Sequence, residues 1–399
     1  MELGIWAYPW DVNDDPRAAD EIADLRPTVV SLAAVYHATR LLLPHNPRHT
    51  VVTVEDAATY FHPDASRYTE LRLQPNEPAW LEPDAFGTAA TALHAKGLRV
   101  NAWVVMLHNS RLGRANVDLV IQNCVGDRYT HALCPSQPDV RRYAETLVAD
   151  LCSHYRLDGI ELEACGFMGF EHLTHHEKSA VVCDQVTDYL LSICFCPACE
   201  KSMSDYGLVA TELRRRFASA LKSRMATASA PIDEIDDATE VLQQLVGDDL
   251  ERLQFFRSKT NEKFVQGVLA AADPFRPSSV IVNTAASPYR NGAGIYVEPE
   301  MLSRLVDGLL VSVWTPSLET AVGTVRRFRT SAKASARVIA GVRAFPPDVS
   351  DAADLAERCW QLARAGASGL RFYNYGLCTA SHLEWIQTAM CRVGNWKGA

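Results

Sequence analysis

The chain has 399 residues, 48% of them hydrophobic and 22% charged, with 39 lysines and arginines against 48 aspartates and glutamates. That makeup supplies a large core and excludes disordered, collagen-like and disulfide-scaffold architectures, while a net charge of −9 without a basic run argues against a nucleic-acid partner. No stretch approaches the roughly 18 apolar residues of a membrane span, and Met1 to Pro9 lacks the regions of a secretion signal, so the expectation is a cytoplasmic protein without a membrane partner.

Short runs rich in β-branched and aromatic residues alternate with helical patterns along the chain. In order they are strand Glu2 to Tyr8, helix Pro16 to Leu25, strand Thr28 to Tyr36, helix Pro83 to Ala95, strand Leu98 to Leu107 and helix Pro138 to His154. Then come strands Gly159 to Glu163, Ser279 to Asn283 and Gly308 to Trp314, helix Ser317 to Thr330, strand Arg337 to Arg343, helix Ala352 to Ala365, strand Gly369 to Tyr373 and helix Ser381 to Cys391. Eight strands in this rhythm predict a single (β/α)8 TIM barrel over residues 1–399, of the α/β class. Residues 37–82 after strand two and 164–275 after strand four are long insertions, and loops that follow barrel strands build the active face. The second insertion carries an acidic stretch, Ile232 to Phe256, with Asp233, Asp236 and Asp249 among its acids, read as a solvated outer helix pair.

Strand four reads Gly159-Ile160-Glu161-Leu162-Glu163. Side chains alternate along a strand, so the apolar pair faces the helices while Glu161 and Glu163 both point into the barrel. Glu163 stands at the carboxyl end, where barrel enzymes keep catalytic groups, and burial beside a second carboxylate raises a pKa, which suits a general acid. The catalytic candidates are therefore Glu163 and Glu161; the competing structural reading pairs a glutamate with Arg343 or Arg371, and it fits the deeper Glu161 better. Two carboxylates on one strand cannot flank a scissile bond, so a partner acid is required from Glu298, Glu300, Asp348, Glu55 or Asp56. Trp6, Tyr36, His37, Trp103, His108, Asn109, Asn283, Trp314, Arg343 and Tyr373 fall at or near strand ends and, with Glu298, form the predicted substrate-binding set. Sugars offer C–H faces to aromatic rings and hydroxyls to amides, imidazoles and guanidinium groups, so the expected partner is a small carbohydrate.

Cys194, Cys196 and Cys199 place three thiols within six residues, a spacing that wraps one tetrahedral zinc if a fourth ligand arrives. Cys134 is the natural fourth, with Cys165, Cys183, His172, His175 and His176 as substitutes, and four thiolates leave no open position, so the zinc would be structural. The plain alternative is a set of reduced thiols among the eleven cysteines.

The run Cys134-Pro135, Arg141 to Tyr155, Glu163, then Cys194, Cys196 and Cys199 followed by Lys201 to Phe217, resembles family 42 of the glycoside hydrolases, the zinc-containing barrel β-galactosidases. The resemblance spans residues 98 to 217 and implies Glu163 as acid/base and the four cysteines as zinc ligands. The chain departs from that family in having Leu162 before the acid, where the family has Asn, and no carboxylate in Val342-Arg343-Ala344-Phe345 on strand seven. Asp158 to Glu163 also looks like the strand-four motif of family 18 chitinases, with Cys165 where their acid stands. The reading is a glycoside hydrolase, compatible with a homo-oligomer. Its rivals are a barrel isomerase, epimerase or lyase that uses Glu161, Glu163 and His108, and a carbohydrate-binding barrel without catalysis.

Overall fold

The computed structural model describes every residue except 171–179, 227–229, 233, 276, 290, 291, 293 and 395–399. Eight parallel strands form the barrel: β1 (Glu2–Ala7), β2 (Val29–Tyr36), β3 (Arg99–Val105), β4 (Gly159–Glu163), β5 (Val280–Thr284), β6 (Gly308–Ser312), β7 (Arg337–Arg343) and β8 (Gly369–Tyr373). Each pairs with its sequence neighbour, and β8 closes on β1 with Gly4 opposite Arg371. All eight match the predicted strands to within a few residues at their ends. The expected helices also form, among them Ala85–Ala95, Pro138–His154 and Ala352–Arg364.

Local chemistry explains where several helices begin. Asp84, Asp184, Ser317 and Asp351 each turn a side-chain oxygen onto a free backbone N–H of the first turn, which satisfies donors the helix itself cannot. Behind those caps the apolar stripe of each helix lies on the outside of the sheet, as with Val140, Leu147 and Leu151 of Pro138–His154.

The long connections are built differently. After β2 the chain forms a hairpin, Thr39–Leu42 with Val51–Val54, and then Ala58–Thr59 adds antiparallel to the end of β2. After β3 a second hairpin, Val120–Gln122 with Arg128–Leu133, projects toward the segment that follows β4. That segment holds helices Gln185–Ser192, Pro197–Met203, Ala210–Met225, Ile235–Val246 and Asp249–Ala272. The acidic stretch is thus the expected helix pair, hinged at Gly247 with φ 61°, and it buries Ala238, Leu242, Val246, Leu250 and Leu253 while its acids stay outside; Asp233 lies outside the described residues. Among the described residues, no helix is long and apolar enough to cross a membrane.

The barrel interior accommodates large groups by leaving glycine opposite them. A β-carbon on Gly4 would lie 1.9 Å from Nη1 of Arg371, and one on Gly341 would lie 3.0 Å from the Trp6 ring. These close approaches let one tryptophan and one arginine occupy the barrel axis.

Candidate active site

Two layers of polar groups cross the barrel at β4. In the lower one Glu161 is 1% exposed. Ser31 Oγ donates to its Oε2 at 2.7 Å, Arg371 Nε donates to the same oxygen at 3.1 Å, and the Trp6 indole N–H donates to Oε1. Arg371 also reaches Glu2 at 3.1 Å, and Arg337 and Arg99 complete the set at 2.9 and 3.0 Å. Burial pushes the Glu2 carboxyl up, yet Arg371, Arg337 and Arg99 outweigh it and leave its pKa lowered. Glu161 is thus closed off from solvent with its oxygens taken up by Ser31, Arg371 and Trp6, the arrangement of the structural reading rather than of a group that touches substrate.

The upper layer is Glu163, where the barrel opens. Trp103 donates its indole N–H to Oε2 at 2.7 Å, and the Asn283 side chain also hydrogen-bonds the carboxyl. Among the described residues no lysine or arginine bonds to this carboxyl. Burial pushes the Glu163 pKa up to about 7, the bonds from Trp103 and Asn283 oppose the rise, and the charge of Glu161 adds to it. Glu163 as a residue is half-buried, in contrast to the fully buried Glu161. The next residue, Ala164, has φ 50°, a left-handed conformation that costs energy in a residue with a β-carbon and that the surrounding structure must enforce.

Aromatic side chains surround this acid. The Tyr8 and Tyr373 hydroxyls lie 3.4 Å apart, and Tyr36 bonds to both. Burial first, and mutual contact second, hold these phenols protonated, so they serve as hydrogen-bond groups and not as phenolates. The Tyr36 ring lies 4.7 Å from Trp103, and the Tyr373 ring 5.0 Å from Trp314. Trp314 is 42% exposed, whereas Trp6 and Trp103 are 2% exposed. The predicted aromatic platforms therefore divide: Trp314 and the edge of Tyr373 face outward, while Trp6 and Trp103 act through their N–H groups on the two glutamates. Arg343 sits 5.6 Å over the Trp314 ring and is held by Asp348 through bonds of 2.9 and 2.6 Å. His37 stacks between Tyr36 at 4.2 Å and the buried His108 at 4.3 Å, and burial pushes its pKa down to about 4.

Other predicted site residues are placed elsewhere. Asn109 caps helix Ser110–Ala115, its side chain accepting from Leu112 N at 2.9 Å. Glu298 is exposed, directly precedes helix Pro299–Leu305, accepts from the Tyr296 hydroxyl at 2.8 Å and lines an outer groove with Phe255 and Met301. Fourteen residues past β5 the chain has already turned away from the mouth, which corrects the expectation for Glu298. Glu300 pairs with Arg304 at 2.5 Å on the surface, Asp56 pairs with Arg114, and Glu55 is exposed. Of the proposed partner acids, Asp348 is the one bonded to a mouth residue. Sequence reasoning missed Ser31, though a serine inside the apolar strand Val29–Tyr36 was a readable signal.

The sulfurs of Cys134, Cys194, Cys196 and Cys199 lie within 4.8 Å of one another, all buried. Cys134 is 3.5 Å from Cys199, 3.8 Å from Cys194 and 3.7 Å from Cys196. The Gln122 backbone N–H points at the Cys194 sulfur at 3.4 Å and the Gln137 amide at Cys196 at 3.6 Å, both donors that favour thiolate. Cys165 and Cys183 are not members, and His172, His175 and His176 lie outside the described residues. The cluster ties the end of the β3 hairpin to the segment after β4.

No family model matches the sequence, and no curated protein matches it. Solved structures match its fold. An α-L-fucosidase of Paenibacillus thiaminolyticus superposes with a TM-score of 0.59 at 13% identity, over 99% of this chain and 49% of that one, so the chain spans about half the fucosidase. The catalytic domain of a Paenibacillus polymyxa β-amylase gives 0.58 at 13% identity over 98% and 97%. The PgaB glycoside hydrolase domain of Bordetella bronchiseptica gives 0.57 at 18% identity over 98% and 99%. At such identities the likeness is one of fold, the closed parallel barrel with its surrounding helices.

Proposed function

We propose that the chain is a glycoside hydrolase acting on a small glycoside or oligosaccharide, with Glu163 as its general acid and the four cysteines as ligands of one structural zinc. The observation that carries the first part is Glu163 itself: a carboxyl at the carboxyl end of β4, held by Trp103 and Asn283, without a cation, with a pKa pushed up to about 7. A carboxylic acid that keeps its proton near neutrality can protonate a glycosidic oxygen. The exposed Trp314, the Tyr8 and Tyr373 hydroxyls and the fixed Arg343 offer the stacking face and hydrogen-bond groups a sugar ring uses. That barrels of matching fold are titled fucosidase, amylase and glycoside hydrolase agrees with this reading. The isomerase alternative needs a free Glu161, which Arg371 occupies.

The test is Glu163→Gln against a panel of 4-nitrophenyl glycosides and plain oligosaccharides. Its kcat is expected to fall about 10³-fold with an unchanged circular dichroism spectrum. Near wild-type turnover would sink the assignment, and wild-type binding of a sugar without any turnover would favour the carbohydrate-binding barrel.

For the metal, zinc–sulfur bonds of about 2.3 Å set tetrahedral sulfurs about 3.8 Å apart, which the 3.5 to 3.8 Å separations around Cys134 fit. Four thiolates around one ion leave no place for water, so the ion would fasten the β3 hairpin to the β4 segment and take no part in the reaction. Protein purified without added metal is expected to carry about one zinc per chain and to lose thermal stability when a chelator removes it. Less than about half an equivalent, with all four thiols alkylating freely, refutes the site.

A further inference from the structure

The segment that follows β2 builds a groove outside the mouth. A cavity of about 340 Å³ lies against Tyr60, His62, Glu77 and Trp80, and one of about 720 Å³ continues from the same His62 and Glu77 to Tyr68, Asp84 and Tyr155. Both volumes are of the size that holds small ligands. We propose that this groove binds a saccharide chain free of carboxylate and sulfate groups, as an outer extension of the site in which Glu163 acts. The proposal rests on the glycosidase reading and names the kind of substrate that reading would serve.

The anchoring of an exposed aromatic ring is the first argument. The Trp80 indole is 44% exposed but anchored, its ring 5.4 Å from Trp10. Trp10 in turn stacks 4.8 Å from Tyr8, whose hydroxyl meets Tyr373 beside the acid. Trp10 and Tyr8 are buried, so these contacts run through packed rings and fix Trp80 as the exposed edge of the aromatic cluster that also holds Tyr373. An exposed indole so fixed presents a flat apolar face at little entropic cost, which is what a pyranose ring stacks on.

The second argument is preorganisation. Pro63, Pro75, Pro78 and Pro83 fix φ along the walls. Asp84 holds φ 54°, secured by Gly87 N and by the Tyr155 hydroxyl, which donates to it at 2.5 Å. Ala164 beside the catalytic acid and Asp84 in this groove are two of the three non-glycine residues with positive φ among the described residues. Backbone strain of this kind persists where the surroundings enforce it.

Charge decides the class of sugar. Asp64, Glu77, Glu82 and Asp84 line the two cavities, and neither lysine nor arginine is among the lining residues. Arg67 compensates Asp64 at 3.4 Å, but Glu77, Glu82 and Asp84 leave the lining acidic, so a uronate or sulfated chain would meet like charge, whereas the His62–Glu77 pair, at 2.9 Å where the cavities join, offers donors and acceptors to plain hydroxyls.

The experiment uses full-length Glu163→Gln protein in affinity electrophoresis with soluble starch, hydroxyethyl cellulose, galactan and, as the acidic counterpart, polygalacturonate. At least one uncharged polymer is expected to retard the protein and polygalacturonate to leave it unretarded. Adding Trp80→Ala should weaken retardation about tenfold, with Trp80→Tyr recovering most of it. In active enzyme the ratio of KM for the polymer to KM for a 4-nitrophenyl monoglycoside should rise about tenfold in Trp80→Ala. Retardation unchanged by both Trp80→Ala and His62→Ala, no retardation by any uncharged polymer, or equal retardation by polygalacturonate overturns the groove. If hydrolysis depends on Glu163 while Trp80→Ala alters nothing, the groove falls alone; if Glu163→Gln hydrolyses normally while Trp80→Ala weakens retardation, the glycosidase reading falls and the groove stands.

Discussion

Glu161 and Glu163 leave the same strand on the same face, two residues apart, and end in opposite states. Below, Arg371, Ser31 and Trp6 take up the Glu161 oxygens. Above, Trp103 and Asn283 hold Glu163 without a cation, and burial keeps it protonated to about pH 7. On the proposed reading a carboxylate becomes scaffold or acid according to whether an arginine reaches it, and one step of the strand decides that.

The sharpest way to break this comparison is to neutralise each glutamate in turn. Glu163→Gln is expected to cost about 10³-fold in kcat and little stability, while Glu161→Gln leaves Arg371 with Glu2 as its one acidic partner and destabilises the fold by about 1–3 kcal/mol in urea denaturation. If the two variants exchange these phenotypes, the assignment of layers is wrong. Gly4→Ala probes the lower layer without touching a charge: its methyl would press on Arg371, and the expected loss is about 1–3 kcal/mol of stability. A stability within error of wild type would mean that the arginine has room to move.

The smallest effect is one of pH. A general acid must be protonated, so kcat/KM should fall about tenfold per pH unit above about pH 7, and a profile flat to pH 9 would assign the proton to another group. The sign for stability follows the same shift. The folded state holds the Glu163 proton more tightly than the unfolded chain, so this group's contribution is full below the ordinary carboxylate pKa and is lost as pH rises through about 7. Glu163→Gln should flatten that decline, as Tm measured from pH 4 to 8 can check.

Much of this was legible because the period of a strand is short. Alternation alone turned Glu161, Glu163, Arg343 and Arg371 inward, and Cys-x-Cys-x-x-Cys announced its cluster. What alternation cannot supply is who meets whom across the barrel. The Glu161–Arg371 bond joins residues 210 apart and exists only once the sheet closes, so the sequence offered Arg343 and Arg371 as equal partners. Glu298 misled for a related reason: proximity to a strand end says nothing of the direction a loop takes after it. The hairpin of Val120–Gln122 and Arg128–Leu133, which brings Cys134 to its partners, carried no turn signal strong enough to single out.

The arginine on β8 also orders events in time. A growing chain emerges from its N-terminal end, so Glu2 and Glu161 leave the ribosome well before Arg371, the guanidinium that bonds to both. The last strand thus supplies the partner of acids carried by the first and the fourth, so the ion network is complete only where β8 pairs with β1.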